Sequence, residues 1–108
     1  MNIQLNYLYR DGSNYKNYGN IVFSNPENIP LQTINEAILS NLIDGEFFIA
    51  ADWNLPELFF EYKNEDDHDW HEFQSVELTR KNSTLAKTIN DFLKFIYIYK
   101  TIIIENTP

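Results

Sequence analysis

The densest group of residues that could bind a metal ion or move a proton lies at 66–72, with the sequence Asp-Asp-His-Asp-Trp-His-Glu. Divalent metals need carboxylates or imidazoles that converge on one point. In an extended chain, successive side chains point to opposite sides. One side would then hold His68, Trp70 and Glu72, and the other Asp67, Asp69 and His71. Each side offers only two or three ligands, so a metal site would need more ligands from another strand.

Two interpretations of this cluster stay open. The first is a solvated acidic loop that leads into a strand, which is the usual role of such a charge run. The second is a divalent-metal site of a metal-binding protein or metal-dependent enzyme. Its ligands would be His68, His71, Asp67, Asp69 and Glu72. The order His-x-x-His-Glu differs from the His-Glu-x-x-His of helical metalloproteases, and the ligand spacing of an EF-hand loop is missing. Apart from this alternative, we expect no cofactor.

A second group of residues could contact a partner. Tyr15 and Tyr18 lie in a stretch rich in Tyr, Ser, Gly and Asn, a composition typical of protein-binding loops. Trp53 and Trp70 lie among the acids of residues 44–77, where a tryptophan can anchor an interface. The alternatives are tyrosines that fold back on a sheet and tryptophans at the rim of the core. The hypothetical binding residues are Tyr15, Tyr18, Trp53, Asp66, Asp67, Asp69 and Trp70.

Other catalytic chemistry has little support in the sequence. The chain has no cysteine, which excludes a thiol nucleophile, a disulfide scaffold and a zinc–thiolate site. Its serines do not occur in a nucleophile elbow. Its three glycines are too scattered to form a phosphate-binding loop. We therefore assign no catalytic residues and favour a binding protein over an enzyme.

The charge of the chain is concentrated in one segment. The net charge is −8 over 108 residues, yet residues 44–77 contain eleven acids and one base and so carry −10. The rest of the chain has five acids and seven bases. Because nucleic acids and anionic membranes are bound through Lys and Arg, we expect neither as a direct ligand. A basic protein partner is the expectation that fits this charge.

Hydrophobic periodicity predicts the strands that must position these residues. Alternating or short apolar runs predict five of them. The predicted strands are 3–9, 21–23, 47–49, 58–62 and 71–78. Phe73 and Val76 lie at opposite phases of the last strand, which predicts a bulge between them.

Apolar residues at helical spacing predict two helices. A capping box at Thr33 would begin the first helix, and Ser83 or Thr84 would cap the second. The order ββαβββα indicates one α+β domain over 1–108. We expect a mainly antiparallel five-stranded sheet with both helices packed on one face.

The ends of the chain bear on location and assembly. The N-terminus lacks a basic start followed by an apolar run, so we expect no signal peptide and a cytoplasmic protein. No stretch reaches the 18 apolar residues of a membrane span. Residues 101–104 fit a frayed helix end or a short strand, and the tail 99–108 fits an interface. A homodimer could form through this tail or through exposed aromatic side chains.

Four phrases of the sequence resemble phrases in a group of small uncharacterised bacterial proteins. They are Leu5–Asp11, Asn14–Gly19, Ile43–Phe48 and His68–Phe73. The resemblance covers about residues 3–78 and implies no activity, cofactor or partner. The leading hypothesis is therefore based on charge: a non-enzymatic interaction module that presents residues 44–77 to a basic partner.

Overall fold

The computed structural model describes residues 1–105, which form an α+β fold of four strands and two α-helices. The elements are β1 (Asn2–Arg10), β2 (Lys16–Phe23), α1 (Leu31–Leu39), β3 (Phe47–Ile49), β4 (Trp70–Thr79) and α2 (Ile89–Glu105). A short 3-10 helix, Ala51–Trp53, follows β3. The predicted α+β class is confirmed.

The sheet has the strand order β2-β1-β4-β3, and every neighbouring pair is antiparallel. The alternation in β1 sends Ile3, Leu5 and Tyr7 to one face, where all three are fully or almost fully buried. The other face of the sheet, which we call the open face, carries Tyr18 and Trp70, both of them exposed. The two faces therefore differ in the way that a half-buried antiparallel sheet requires.

Both helices contribute to the same hydrophobic core as the buried face of β1. The helical residues of this core are Ile34, Ile38, Ile89, Phe92 and Ile96. Each such side chain contributes roughly 1.5–3 kcal/mol when it leaves water. Packing against the sheet, rather than helix propensity, therefore accounts for most of the stability of these helices.

The predicted fifth strand, over residues 58–62, is wrong. Residues 55–62, which we call the strap, cross the buried face of the sheet and form no ladder with it. The Leu58 N–H donates to His71 Nε2 at 2.9 Å, and the Leu58 carbonyl accepts from Asn17 Nδ2 at 3.0 Å. Because side chains already bond the N–H and the carbonyl of Leu58, these groups need no partner in a neighbouring strand.

The predicted bulge in the last strand is confirmed. Asn6 pairs with Ser75, and the next residue of β1, Tyr7, pairs with Phe73. Gln74 is therefore the extra residue, and the shift returns Phe73 to the buried face.

The predicted start of the first helix is wrong. The helix begins at Leu31, directly after Pro30, so Thr33 lies inside the first turn and caps nothing. The helix starts earlier because the Pro30 carbonyl already accepts the Ile34 N–H at 3.1 Å, and no side chain caps this end.

The predicted start of the second helix is also too early. The helix begins at Ile89, where Thr88 Oγ1 accepts the N–H of Asp91 at 3.1 Å. Thr84 instead extends the edge of the sheet, since its N–H donates to the Val22 carbonyl at 2.8 Å and its Oγ1 accepts the Val22 N–H at 3.0 Å.

The C-terminal part of the chain is helical through Glu105, so the helical alternative for residues 101–104 is correct. Residues 106–108 of the predicted interface tail lie outside the described residues. Over residues 1–105, none of the helices combines the length and the apolar character needed to cross a membrane.

Gly19 is required where the strap crosses the sheet. A Cβ at this position would lie 2.8 Å from Leu58 Cδ2, closer than atoms in contact allow. Gly19→Ala is therefore expected to lower the free energy of unfolding by an amount in the lower half of the usual overpacking range of about 1–3 kcal/mol, since the clashing atoms are the end of a leucine side chain. Urea denaturation measures this change.

A double variant tests the cause of that loss. In a Leu58→Ala background, the clashing methyl groups are gone, so Gly19→Ala should cost little. Gly12→Ala serves as the matched control because its added Cβ would meet only Asp67 Oδ1, at 3.9 Å. Equal losses in both backgrounds would contradict the steric explanation.

Candidate functional site

The acidic side chains of residues 44–77 form an accessible surface. Eight of the eleven are exposed, and the other three are partly exposed. Two of them form ion pairs among the described residues: Asp69 with Lys63 at 2.9 Å, and Glu72 with Arg10 at 2.8 Å. Lys63, the single base of the segment, is thus already paired. The negative charge of this surface is therefore largely uncompensated.

Residues 64–69, which we call the acidic loop, are held by their own hydrogen bonds. The Asp67 N–H donates to the Asn64 carbonyl at 3.1 Å, and Asp67 Oδ2 accepts the Asn64 N–H at 3.2 Å. Asn64 Oδ1 also accepts the Asp66 N–H at 2.8 Å. The loop therefore presents the carboxylates of Asp66, Asp67 and Asp69 from an ordered backbone.

Asp11 connects this end of the sheet to the segment before the acidic loop. Its side chain accepts the backbone N–H groups of Ser13 and Tyr15, both at 2.9 Å, and the hydroxyl of Tyr62 at 2.7 Å. These hydrogen bonds, that from Tyr62 first, lower the pKa of the Asp11 carboxyl. The same bond raises the pKa of Tyr62 to about 12. This role is not apparent from the sequence, in which Asp-Gly indicates only a local turn.

The predicted aromatic binding residues lie in three different places. Tyr15 is 66% exposed and borders the acidic loop through the Asp11 turn. Tyr18 and Trp70 lie on the open face of the sheet, 58% and 39% exposed. Trp53 is 4% exposed and stacks on Phe48 in the core, with ring centroids 4.5 Å apart. Trp53 is therefore a core residue and no part of the open face of the sheet.

His71 is fully buried and has a structural role. Its Nε2 accepts the Leu58 N–H, so the ring proton lies on Nδ1, which faces the Asp69 carbonyl at 3.2 Å. Burial lowers the pKa of His71, which keeps the ring neutral. The histidine thereby fastens the strap to β4.

The five hypothetical metal ligands do not converge. His71 is enclosed in the core, and His68 is exposed, with its Nδ1 accepting the Trp70 N–H at 3.1 Å. Asp69 and Glu72 are paired with bases. Among the residues that the structure describes, no three His, Asp or Glu side chains are arranged to hold a metal ion. The metal site stays a prediction without geometric support.

A shallow cleft opens on the open face of the sheet, beside the acidic surface. Its volume is about 340 Å³, and Arg10, Phe47, His68, Trp70 and Glu72 line it. The strands place these residues together: Tyr9 pairs with His71 and Leu8 with Glu72, which sets Arg10 near Glu72. Arg10 and Phe47 could not be predicted as site residues, because they are distant from residues 68–72 in the sequence and belong to no motif.

Comparison of the chain with protein-family models, curated proteins and solved structures finds no match. The geometry and charge of the acidic surface and of the open-face cleft are therefore the guide to function.

Proposed function

We propose that the protein is a non-enzymatic interaction module that presents its acidic surface, residues 44–77, to a basic protein partner. The observation that carries the proposal is the exposure of the acids: none of the eleven is buried, and the segment's one base is paired with Asp69. Such a field speeds association with a basic surface and depends strongly on salt.

Two further features support a binding role. The acidic loop is ordered by its own hydrogen bonds, so less conformational entropy is lost when a partner binds. Tyr15 and Tyr62, 66% and 60% exposed, border the loop and offer apolar contact area. Tyrosine supplies such area at a low entropic cost, since it has few rotatable bonds.

The test compares two variants of equal net charge. The first is Asp66→Asn, Asp67→Asn and Asp69→Asn, which removes three charges from the acidic loop and keeps the size of each side chain. Binding of a fluorescein-labelled lysine decapeptide is followed by anisotropy. Ionic strengths of about 10 and 150 mM correspond to Debye lengths of about 30 and 8 Å. We expect this variant to weaken binding about five-fold at the lower ionic strength, with a smaller effect at the higher.

The control removes three charges elsewhere: Glu27→Gln, Glu36→Gln and Asp91→Asn. If the acidic loop is the binding surface, the control should bind nearly as the wild type does. Equal weakening by both variants would show that only net charge matters. That result, or a wild-type protein that does not bind the peptide, would refute the proposal.

A further inference from the structure

We propose that the cleft on the open face of the sheet binds a neutral saccharide ring. The site shares only His68 with the acidic loop and does not depend on the protein-binding role proposed above. Its floor and walls come from three strands and from His68, two residues before β4.

The apolar part of the cleft is a pair of aromatic rings. Trp70 and Phe47 lie with their ring centroids 5.0 Å apart and their planes 33° from parallel. Trp70 is 39% exposed although it belongs to a strand, so its ring is available to a ligand. A flat exposed indole can pack against the C–H face of a sugar ring, an apolar contact that weak C–H hydrogen bonds to the π-face extend.

The polar part of the cleft offers donors and acceptors side by side. Arg10 Nε and Nη2 donate to the two oxygens of Glu72, at 2.8 and 3.2 Å. Arg10 Nη1 also donates to Asn14 Oδ1. The two side chains remain 37% and 24% exposed, so their remaining N–H groups and lone pairs can still bond a ligand. His68 Nδ1 accepts a backbone N–H, which leaves its Nε2–H as a donor in the neutral ring. Adjacent hydroxyl groups, each a donor and an acceptor, match this arrangement.

Charge and solvation disfavour the other classes of ligand. A cation would meet the Arg10 guanidinium, and an anion would meet a segment of net charge −10, with Glu46 and Asp69 next to cleft residues in the chain. A wholly apolar ligand would take the Arg10–Glu72 pair out of water without replacing its hydrogen bonds. A neutral polyhydroxylated ring avoids all three costs. The volume of about 340 Å³ is at the small end of ligand pockets.

The two tryptophans of the chain make a direct test by NMR. Indole N–H signals are followed while maltose, cellobiose, lactose or N,N′-diacetylchitobiose is added to the protein. We expect at least one disaccharide to shift the Trp70 signal with a dissociation constant in the millimolar range. The Trp53 signal, from the core, should not move. The absence of a shift with all four disaccharides would overturn the proposal.

Variants separate the cleft from the rest of the surface. Binding by the variants is followed through the backbone amide signals of β4. Trp70→Ala should weaken saccharide binding at least ten-fold, and Trp70→Phe, which keeps an aromatic face, should retain part of it. Tyr97→Ala, a change at a 65% exposed aromatic residue of α2, is the matched control and should bind as the wild type does. Binding that survives Trp70→Ala would overturn the proposal.

Two further measurements distinguish saccharide binding in the cleft from other binding. The Asp66→Asn, Asp67→Asn, Asp69→Asn variant should bind the disaccharide normally, since none of these residues lines the cleft. Titration with arginine amide tests the cationic alternative. A larger shift of the Trp70 signal by arginine amide than by any disaccharide would assign the cleft to a cation instead.

Discussion

Replacement of His71 by alanine is expected to lower the free energy of unfolding by about 3 kcal/mol. The ring is fully buried, with the rings of Tyr9, Phe48 and Phe59 centred 5.3, 5.9 and 5.2 Å away. Its loss leaves a cavity among these rings. It also leaves the Leu58 N–H without an acceptor, which adds the cost of an unsatisfied polar group.

The same residue makes stability depend on pH. Burial lowers the pKa of His71 below its ordinary value of 6.5, so the unfolded chain takes up this proton at a higher pH than the native protein does. His71 therefore makes its full contribution to the free energy of unfolding above about pH 6.5. This contribution is lost as the pH falls from there towards the lowered pKa of the native protein. Protonation also removes the Nε2 lone pair that holds the strap.

Urea denaturation at several pH values from 7.5 to 5 measures both effects. His71→Ala should lower the free energy of unfolding at neutral pH. It should also make this free energy fall less steeply between pH 6.5 and 5. His68→Ala is the matched control, since His68 is exposed, and its change should stay within about 0.5 kcal/mol. Two histidine variants with the same loss would show that His71 does not fasten the strap.

Replacement of Trp53 by alanine is expected to cost about 3–5 kcal/mol, the range for a large aromatic residue in a core. The indole stacks on Phe48 at 4.5 Å and meets the edge of Phe92 at 5.7 Å. It therefore joins the end of β3 to α2. Thermal unfolding followed by circular dichroism at 222 nm should show a much lower Tm.

Trp70→Ala provides the comparison at the other tryptophan. Trp70 contacts Phe47 on the open face and is 39% exposed, so its loss should cost no more than about 1 kcal/mol. Similar losses at the two positions would contradict the placement of Trp53 in the core and Trp70 at the surface.

The sequence-based predictions were most accurate where a pattern is local and repeated. The period of two in β1 and the phase change between Phe73 and Val76 correctly predicted a half-buried strand and a bulge. Apolar residues at helical spacing correctly predicted both helices. Their starts were wrong: the first helix begins directly after Pro30 without the expected cap at Thr33, and Thr88 caps the second in place of Ser83 or Thr84.

The strap shows why a run of apolar residues is ambiguous. Residues 58–62 look like a strand, since a chain that packs on a sheet buries the same kind of side chain as a chain within it. The difference lies in the backbone partners of Leu58, which are side chains of His71 and Asn17. Those residues are thirteen and forty-one positions away, so no local pattern could predict them.

The α+β class, the alternation that separates the faces of the sheet, and the concentration of charge in residues 44–77 all follow from the amino-acid sequence. These properties depend on composition and on near neighbours in the chain. Which histidine and which tryptophan are buried, and which residues meet in the open-face cleft, depends on the folded chain. Strand pairing brings Arg10 to Glu72 and Phe47 to Trp70 across long stretches of chain, and burial then sets the role of each side chain.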